Sequence, residues 1–161
     1  MFARLIFSLV KFRARNGLSG DSVEDSPAGA PASAKTKARR TGVRGETYAY
    51  WYLRRHGYIL VARNYTFPGF KGEIDMVGYD GSVLAFVEVK TRSAAQPGSV
   101  RPLPEDAVNW DKRRNLGRMA RQFLKIHRIG SPSQRFDILA IETRAGAPPE
   151  VRLLKDAFAP Q

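Results

Sequence analysis

The spacing of apolar and polar residues separates an irregular N-terminal part of the chain from a regular remainder. Residues 16–40 are rich in Gly, Ser, Ala, Pro and Lys and show no apolar period. Such a segment buries too little apolar surface to offset the entropy lost on ordering. From about residue 41 onward, apolar positions recur at the spacings typical of helices and strands. The pattern predicts a disordered linker over 16–40 and one folded domain over 41–158.

The folded part is predicted to begin with a helix that is followed by three strands. The helix covers 42–56, with Thr41 as its N-cap and Gly57 just after its end. Three apolar runs separated by turn residues come next, and consecutive strands joined by short turns pair antiparallel. The predicted strands cover 58–65, 72–79 and 83–92, with turns at Pro68-Gly69 and Asp80-Gly81.

A second helix and two further strands complete the predicted domain. The helix covers 105–129 and ends before Gly130 and Pro132. The strand over 135–142 has a nearly continuous apolar run, which indicates burial on both faces, and 151–154 is predicted as a short last strand. The order helix, three strands, helix, strand, strand predicts an α/β fold.

Four charged residues fall on matching faces of two neighbouring predicted strands. Residues two positions apart in a strand share a face, so Glu73 lies with Asp75, and Glu88 lies with Lys90. Carboxylates that hold Mg²⁺ and a lysine near the attacking water are the composition of a metal-dependent phosphodiesterase site. The alternative is a half-buried sheet whose charged face lies in water. Phe86 shares the face of Glu88 and Lys90, which favours the site because charges on a covered strand need a partner.

Both predicted helices direct further charged residues toward this hairpin. Glu46 shares a helical face with Leu53, and a carboxylate on a buried stripe needs pairing or a cation, unless it stays in solvent at the helix start. The apolar stripe of the second helix begins at Leu116, and Lys112 and Arg113 extend this stripe toward the N-terminus of the helix. There they either approach a phosphate at the end of the sheet or extend into water.

The opposite face of the second helix is uniformly basic. Like charges four residues apart destabilise a helix, and a polyanion would relieve that repulsion. The chain has a net charge of +12, and residues 45–161 alone keep 18 Lys and Arg against 12 acids, a net of +6. These charges favour a nucleic-acid partner, with an anionic membrane surface as the alternative. The basic face consists of Arg114, Arg118, Arg121, Lys125 and Arg128.

Composition and the N-terminal segment limit the metal sites, the cellular location and the membrane contact that we expect. The chain has no cysteine and only two histidines, so it has no disulfide or thiolate metal site, and a zinc site is not expected. The absence of cysteine agrees with a reducing compartment, and we expect a cytoplasmic location. Residues 1–15 form a short basic amphipathic segment whose apolar run is too short to span a bilayer. Membrane contact through 1–15 is therefore the weaker of the two alternatives.

Seven motifs, in order along residues 41–158, resemble the YraN family of small bacterial proteins. That family is similar to archaeal Holliday-junction resolvases and to the restriction-endonuclease-like PD-(D/E)xK superfamily. Residues 1–40 lie outside the resemblance. The motifs are Arg44-Gly45-Glu46, Gly57-Tyr58-Ile59-Leu60, Arg63-Asn64-Tyr65, Gly72-Glu73-Ile74-Asp75, Phe86-Val87-Glu88-Val89-Lys90-Thr91-Arg92, Lys112-Arg113 and Arg135-Phe136-Asp137-Ile138.

The resemblance implies a restriction-endonuclease-like α/β core, in which a mixed central β-sheet has helices on both faces in the order α-β-β-β-α-β-β. By this similarity Asp75 corresponds to the metal aspartate, and Glu88 and Lys90 correspond to the (D/E)xK pair. Glu46 corresponds to the first-helix glutamate of resolvase-like members. Ile74 stands where the formal motif has proline, a position that varies across the superfamily.

The expected function is therefore a Mg²⁺- or Mn²⁺-dependent, structure-selective endonuclease that hydrolyses phosphodiester bonds. Branched or structured DNA is the expected partner, with RNA as an alternative, and a homodimer is expected because two strands must be cut. The alternative is a non-catalytic nucleic-acid-binding accessory protein that retains the nuclease fold. The expected catalytic residues are Asp75, Glu88, Lys90 and Glu46; the metal ligands are Asp75, Glu88 and Glu46; the nucleic-acid ligands are Arg92, Lys112, Arg113, Arg114, Arg118 and Arg121.

Overall fold

Two helices and five strands make up the part of the chain that the structure, a computed structural model, describes: residues 34–94 and 108–159. The element order is the predicted one. The predicted segment 1–15 and most of the predicted linker lie outside the described residues. The elements are α1 (Ala34–Arg55), β1 (Tyr58–Tyr65), β2 (Ile74–Asp80), β3 (Val83–Ser93), α2 (Trp110–Ile126), β4 (Gln134–Thr143) and β5 (Glu150–Phe158).

The strands form one mixed sheet in which spatial order follows chain order, β1-β2-β3-β4-β5. The first three strands form an antiparallel meander, as predicted. β3 and β4 are parallel, which requires a long crossover, and α2 lies within that connection. β5 then returns antiparallel to β4. The mixed central sheet expected from the sequence is confirmed.

The two helices cover opposite faces of this sheet. Ala85 and Val87 of β3 belong to the buried cluster that contains Leu53 of α1. Phe86, between them, instead packs edge-to-face on Phe123 of α2, with ring centroids 5.9 Å apart. Because successive strand residues point to opposite faces, α1 and α2 lie on different sides of the sheet. The α2 residues buried there match the predicted apolar stripe: Leu116, Met119, Ala120 and Phe123.

The predicted helix boundaries differ from the observed ones. α1 begins at Ala34 and not at 42, so Thr41 is not its N-cap, and residues 34–40 of the predicted linker are helical. The segment is rich in Ala, Lys and Arg, whose helix propensity outweighs its lack of an apolar period. α2 begins at Trp110 and not at 105, because the side chain of Asn109 caps it by accepting from the backbone N–H of Lys112 at 3.0 Å.

A buried polar network, which was not predicted, links β1 and β2 to β4 and β5. Asp137 of β4 is fully buried and accepts hydrogen bonds from the Tyr58 hydroxyl at 2.9 Å, Arg135 Nε at 2.9 Å and the Asp156 backbone N–H at 3.0 Å. Arg135 also pairs with Asp80. Burial, followed by the hydrogen bond from Tyr58 to Asp137, raises the pKa of the tyrosine. Both oxygens of Asp137 are satisfied, as a structural network requires.

No helix within residues 34–94 and 108–159 is long and apolar enough to cross a membrane.

Candidate active site

Asp75 and Glu88 meet where the β2–β3 ladder ends. The last residues paired across this ladder are Met76 and Val87, so the next positions in register are Asp75 and Glu88. The Val89 backbone N–H donates to Asp75 Oδ2 at 2.6 Å. The Asp75 carboxylate thus takes the place of a backbone acceptor for β3 at this point, and this hydrogen bond fixes the carboxylate beside Glu88.

Glu88 is a buried acid with two ammonium groups on one of its oxygens. The residue is only 3% exposed. Its Oε1 contacts Lys90 Nζ at 2.8 Å and is also paired with Lys112 Nζ. Its Oε2 is buried and has no hydrogen-bond partner. A buried carboxylate oxygen without a partner costs free energy, so it is the atom that this site offers to a cation.

Burial and like charge perturb the protonation of Asp75. Desolvation first, and then the negative charge of Glu88, raise the pKa of Asp75 to about 7 against the opposing hydrogen bond from Val89 and the charge of Lys112. Two neighbouring buried carboxylates resist being ionised together. A bound cation would favour the ionised form of both, which is the electrostatic condition of a metal site.

Glu73 and Glu46 extend the negative region without entering the central contact. Burial, followed by the charges of Glu46 and Glu88, raises the pKa of Glu73. Glu46 accepts a hydrogen bond from Asn64 Nδ2 of β1 at 2.8 Å. The structure therefore brings Asp75, Glu88 and two lysines together directly, whereas Glu46 is held at β1. The charges of both Glu46 and Glu88 act on Glu73.

The acids present fit a divalent cation held by few protein ligands. Within residues 34–94 and 108–159, no three His, Asp or Glu side chains form a ready-made metal site. Mg²⁺ commonly binds through one or two carboxylates and completes its shell with water and substrate phosphate. Asp75 and the unpaired Oε2 of Glu88 suit that mode of binding. The role of Glu46 as a third ligand stays a prediction.

Lys112 reaches the site from the first turn of α2. Asn109 fixes this turn by capping the Lys112 backbone N–H. The Lys112 side chain, 39% of whose surface is exposed, extends to Glu88. Burial lowers the pKa of Lys112, but the hydrogen bond to Glu88 and the charges of Glu88 and Asp75 outweigh it and raise the pKa overall. Lys112 is therefore a firmly cationic partner of Glu88.

The predicted basic face of α2 is exposed in the structure. Arg114, Arg118 and Arg121 all lie in solvent, as do Lys125 and Arg128 beyond them. The Arg114 guanidinium lies 5.4 Å from the ring centroid of Trp110. Such cation–π contacts hold an arginine in place and leave its charge available.

Two other predicted phosphate ligands have intramolecular contacts. Arg92 donates through Nε at 3.2 Å and Nη2 at 2.9 Å to Glu142 Oε2 of β4. Arg113 donates through Nε to the Val108 carbonyl oxygen at 2.8 Å, and its guanidinium lies 5.4 Å from the ring centroid of Phe158. These contacts hold β3 to β4 and α2 to β5, and phosphate binding by Arg92 and Arg113 stays a prediction.

A mixed five-stranded sheet with a helix on each face, and with an acidic pair on its two central antiparallel strands, defines an α/β protein with a nuclease-like fold. A family model described as Uncharacterised protein family UPF0102 matches residues 45–141. The chain belongs to this family, which confirms the resemblance to YraN proteins.

Several bacterial relatives match most of the chain. A UPF0102 protein of Koribacter versatilis (strain Ellin345) is 42% identical over 119 residues, which are 74% of this chain and 79% of the relative. A UPF0102 protein of Symbiobacterium thermophilum is 41% identical over 123 residues, 75% of this chain and 98% of the relative. The similarity thus covers about three quarters of the chain.

Proposed function

We propose that this protein is a divalent-metal-dependent endonuclease. The observation that carries the proposal is Glu88, a buried acid beside Asp75 whose Oε2 has no hydrogen-bond partner. Asp137 provides the contrast within the same sheet, because both of its oxygens are hydrogen-bonded. A buried charge that is left partly unsatisfied weakens a fold, so its presence beside a second acid supports a binding role.

The side chains divide the work of phosphodiester hydrolysis between them. Asp75 and Glu88 would hold Mg²⁺ or Mn²⁺, with Glu46 as the predicted further ligand. Such an ion activates water and offsets negative charge on the phosphate. Asp75, with a pKa of about 7, holds a proton for much of the time at neutral pH and would have to be ionised to hold a cation. Lys90, held 2.8 Å from Glu88 Oε1, donates to the attacking water or to a phosphate oxygen.

The proposed substrate is nucleic acid. The exposed basic face of α2 and the net charge of +12 support a polyanionic partner. Branched or structured DNA and a homodimer with two sites are proposed on the similarity to junction resolvases, and cytoplasmic action is proposed on the absence of cysteine. RNA is the alternative substrate.

The test is cleavage by the purified full chain of a four-way junction, a flap, a single strand and a plain duplex with Mg²⁺ or Mn²⁺. We expect cleavage that Asp75→Ala and Lys90→Ala abolish. Glu150→Gln is the matched control, because Glu150 is an exposed acid on β5 whose pair with Arg144 is long, at 3.8 Å. Activity that survives both site substitutions would come from a contaminating nuclease and would refute the assignment.

A second candidate function is a nucleic-acid-binding accessory protein without turnover. Lys112 compensates the charge of Glu88 with a side chain of the protein itself, and this pairing favours the candidate. If the wild type and the Asp75→Ala variant are equally inactive and bind the same nucleic acids equally well, the accessory function is correct.

A further inference from the structure

α1 exposes a group of aromatic and cationic side chains that the proposed active site does not use. Trp51 is 55% exposed and Tyr48 is 41% exposed, which is unusual for side chains of this size. Arg54 and Arg55 are exposed on the same helix, and Arg63 is exposed on the neighbouring edge strand β1. These five residues are the α1 aromatic surface.

Contacts between rings and guanidinium groups order this surface. The Arg54 guanidinium lies 5.7 Å from the Trp51 ring centroid and 5.6 Å from that of Tyr50, and Arg54 Nη1 donates to the Tyr50 hydroxyl at 3.0 Å. Arg63 lies 5.0 Å from the Tyr50 centroid. These contacts hold Arg54 and Arg63 against the rings, so less conformational entropy is lost when a flat ligand binds there.

The surface is cationic and separate from the basic face of α2. Of the ion pairs between described residues, none involves Arg54, Arg55 or Arg63. α1 and α2 cover opposite faces of the sheet, since α1 packs on the side of Val87 and α2 on the side of Phe86. Lys112 and Glu88 share the α2 side, and Glu46, the proposed active-site residue on α1, accepts its hydrogen bond from Asn64, which is not part of this surface. The active site therefore does not explain the α1 aromatic surface.

The charges of this surface distinguish between two kinds of occupant. A second copy bound through a two-fold axis would bring the surface against itself, and three arginines would face three arginines without acids. An unpaired stretch of nucleic acid instead offers flat bases for the rings and guanidinium groups, and phosphates for the arginine charges. Every base has a face that stacks on Trp or Tyr, so such binding needs no particular sequence.

We propose that the α1 aromatic surface binds unpaired nucleotides, with a base stacked on Trp51 and the adjoining phosphates paired with Arg54 and Arg55. This binding goes beyond the proposed cleavage and requires neither a metal nor the acids of the active site. It gives the protein a second contact with nucleic acid on the face opposite α2.

The test uses Trp51 itself as the reporter. The chain has two tryptophans, so Trp110→Phe leaves Trp51 as the only one. The probe is a short oligothymidylate in chelator, with an abasic strand of equal length beside it. We expect oligothymidylate to quench Trp51 fluorescence and the abasic strand to bind more weakly without quenching. In the otherwise natural chain, Trp51→Leu should weaken oligothymidylate binding about tenfold, because one stacked base is lost.

Matched variants separate stacking from loss of fold. Trp51→Phe keeps an aromatic face and should retain most of the affinity, and Ile59→Ala, at an exposed apolar position on β1, should change nothing. Thermal unfolding of each variant checks the fold. Oligothymidylate that does not bind, that binds without quenching Trp51, or that binds Trp51→Leu normally overturns the proposal. Equal quenching by the abasic strand does so too.

Sedimentation of the same variants tests the competing occupant. If Trp51→Leu changes the oligomeric state and leaves oligothymidylate affinity intact, the surface is a contact between copies and the proposal is wrong. Cleavage is measured separately with metal, so quenching without cleavage would count against the nuclease alone, and cleavage without quenching would count against this surface alone.

Discussion

Lys112 of α2 and Glu88 of β3 form an ion pair that joins the second helix to the centre of the sheet. Lys90 contacts the same oxygen, Glu88 Oε1, at 2.8 Å, whereas Oε2 is buried without a hydrogen-bond partner. The site therefore compensates Glu88 from one side and leaves the other open. Lys112 is partly exposed in this pair, whereas Glu88 is buried.

Removing the Lys112 ammonium should therefore destabilise the metal-free protein and increase its response to metal. Lys112→Met keeps the aliphatic stem and removes the ammonium group that pairs with Glu88. We expect a loss of about 1.5 kcal/mol in chelator, the lower end for a charged hydrogen bond, because Lys90 remains and Lys112 is partly in solvent. Unfolding measured with and without Mg²⁺ should show a larger metal-induced rise in Tm for the variant.

Lys125→Met is the matched control for this measurement. Lys125 lies on the exposed basic face of α2, so the same substitution there changes the net charge equally without touching Glu88. Equal metal-induced shifts in Tm for the two variants would show that Lys112 does not share a site with the ion.

The raised pKa of Asp75 makes the stability of the metal-free protein depend on pH. An ordinary aspartate has a pKa of about 3.9 when unfolded, and Asp75 has a pKa of about 7 when folded. Between these values the folded state binds more protons than the unfolded state, so this group lowers stability as pH rises from about 4 to about 7. In the ion-free protein, ionised Asp75 is thus unfavourable to folding.

Asp75→Asn isolates this effect, because an amide oxygen can still accept from the Val89 N–H. In chelator we expect the variant to gain stability relative to the wild type as pH rises, and Mg²⁺ to remove that advantage by stabilising the wild type only. Urea unfolding at about pH 5 and about pH 8 provides the comparison. A stability difference that is the same at both pH values would contradict the raised pKa.

Alternation along single strands could be predicted from the sequence, whereas contacts between distant elements could not. The shared face of Phe86 and Glu88 follows from the geometry of a strand, and the structure places Phe86 against α2 and Glu88 against Lys112. The pairing of Lys112 with Glu88 depends on where α2 crosses the sheet, which the periodicity of α2 does not define. From the sequence, Lys112 was equally consistent with a phosphate ligand or an exposed side chain.

The network at Asp137 shows the same limit. Its acid lies within an apolar run, and only Arg135, two residues earlier on the same face, could have indicated a partner. Tyr58 and Asp156, which complete the network, are distant in sequence and meet Asp137 only after β1, β4 and β5 have assembled. The sequence alone therefore does not show whether a buried acid in a strand has a structural role, as Asp137 has, or keeps an oxygen without a hydrogen-bond partner, as Glu88 does.

Asp137→Asn should weaken the fold strongly. The substitution leaves Asp80 as the remaining acid beside Arg135 and replaces a carboxylate that accepts from three donors, so we expect a loss of about 1.5 to 3 kcal/mol, as for a charged hydrogen bond. Glu150→Gln, an exposed acid on β5, should cost little. Urea unfolding measures both. A loss below about 1 kcal/mol for Asp137→Asn would show that the network is dispensable for stability.

Gly45 sets the distance between α1 and β3, and therefore the position of Glu46. A Cβ at residue 45 would lie 1.9 Å from Thr91 Oγ1, so Gly45→Ala must push α1 away from the sheet or move Thr91. We expect a loss of about 1 to 3 kcal/mol, as for other overpacked contacts. Thr91→Ala removes the nearest atom and should recover part of this loss in the double variant.

Gly42→Ala is the matched control, because it lies in the same helix and a Cβ there meets nothing within 4 Å. Replacing this glycine should stabilise α1 by up to about 1 kcal/mol through helix propensity. The two alanine variants should therefore change the free energy of unfolding in opposite directions. If they change it equally, α1 does not pack on Thr91. If Gly45→Ala also weakens Mg²⁺ binding measured by calorimetry while Gly42→Ala does not, Glu46 contributes to the metal site from the position that Gly45 gives it.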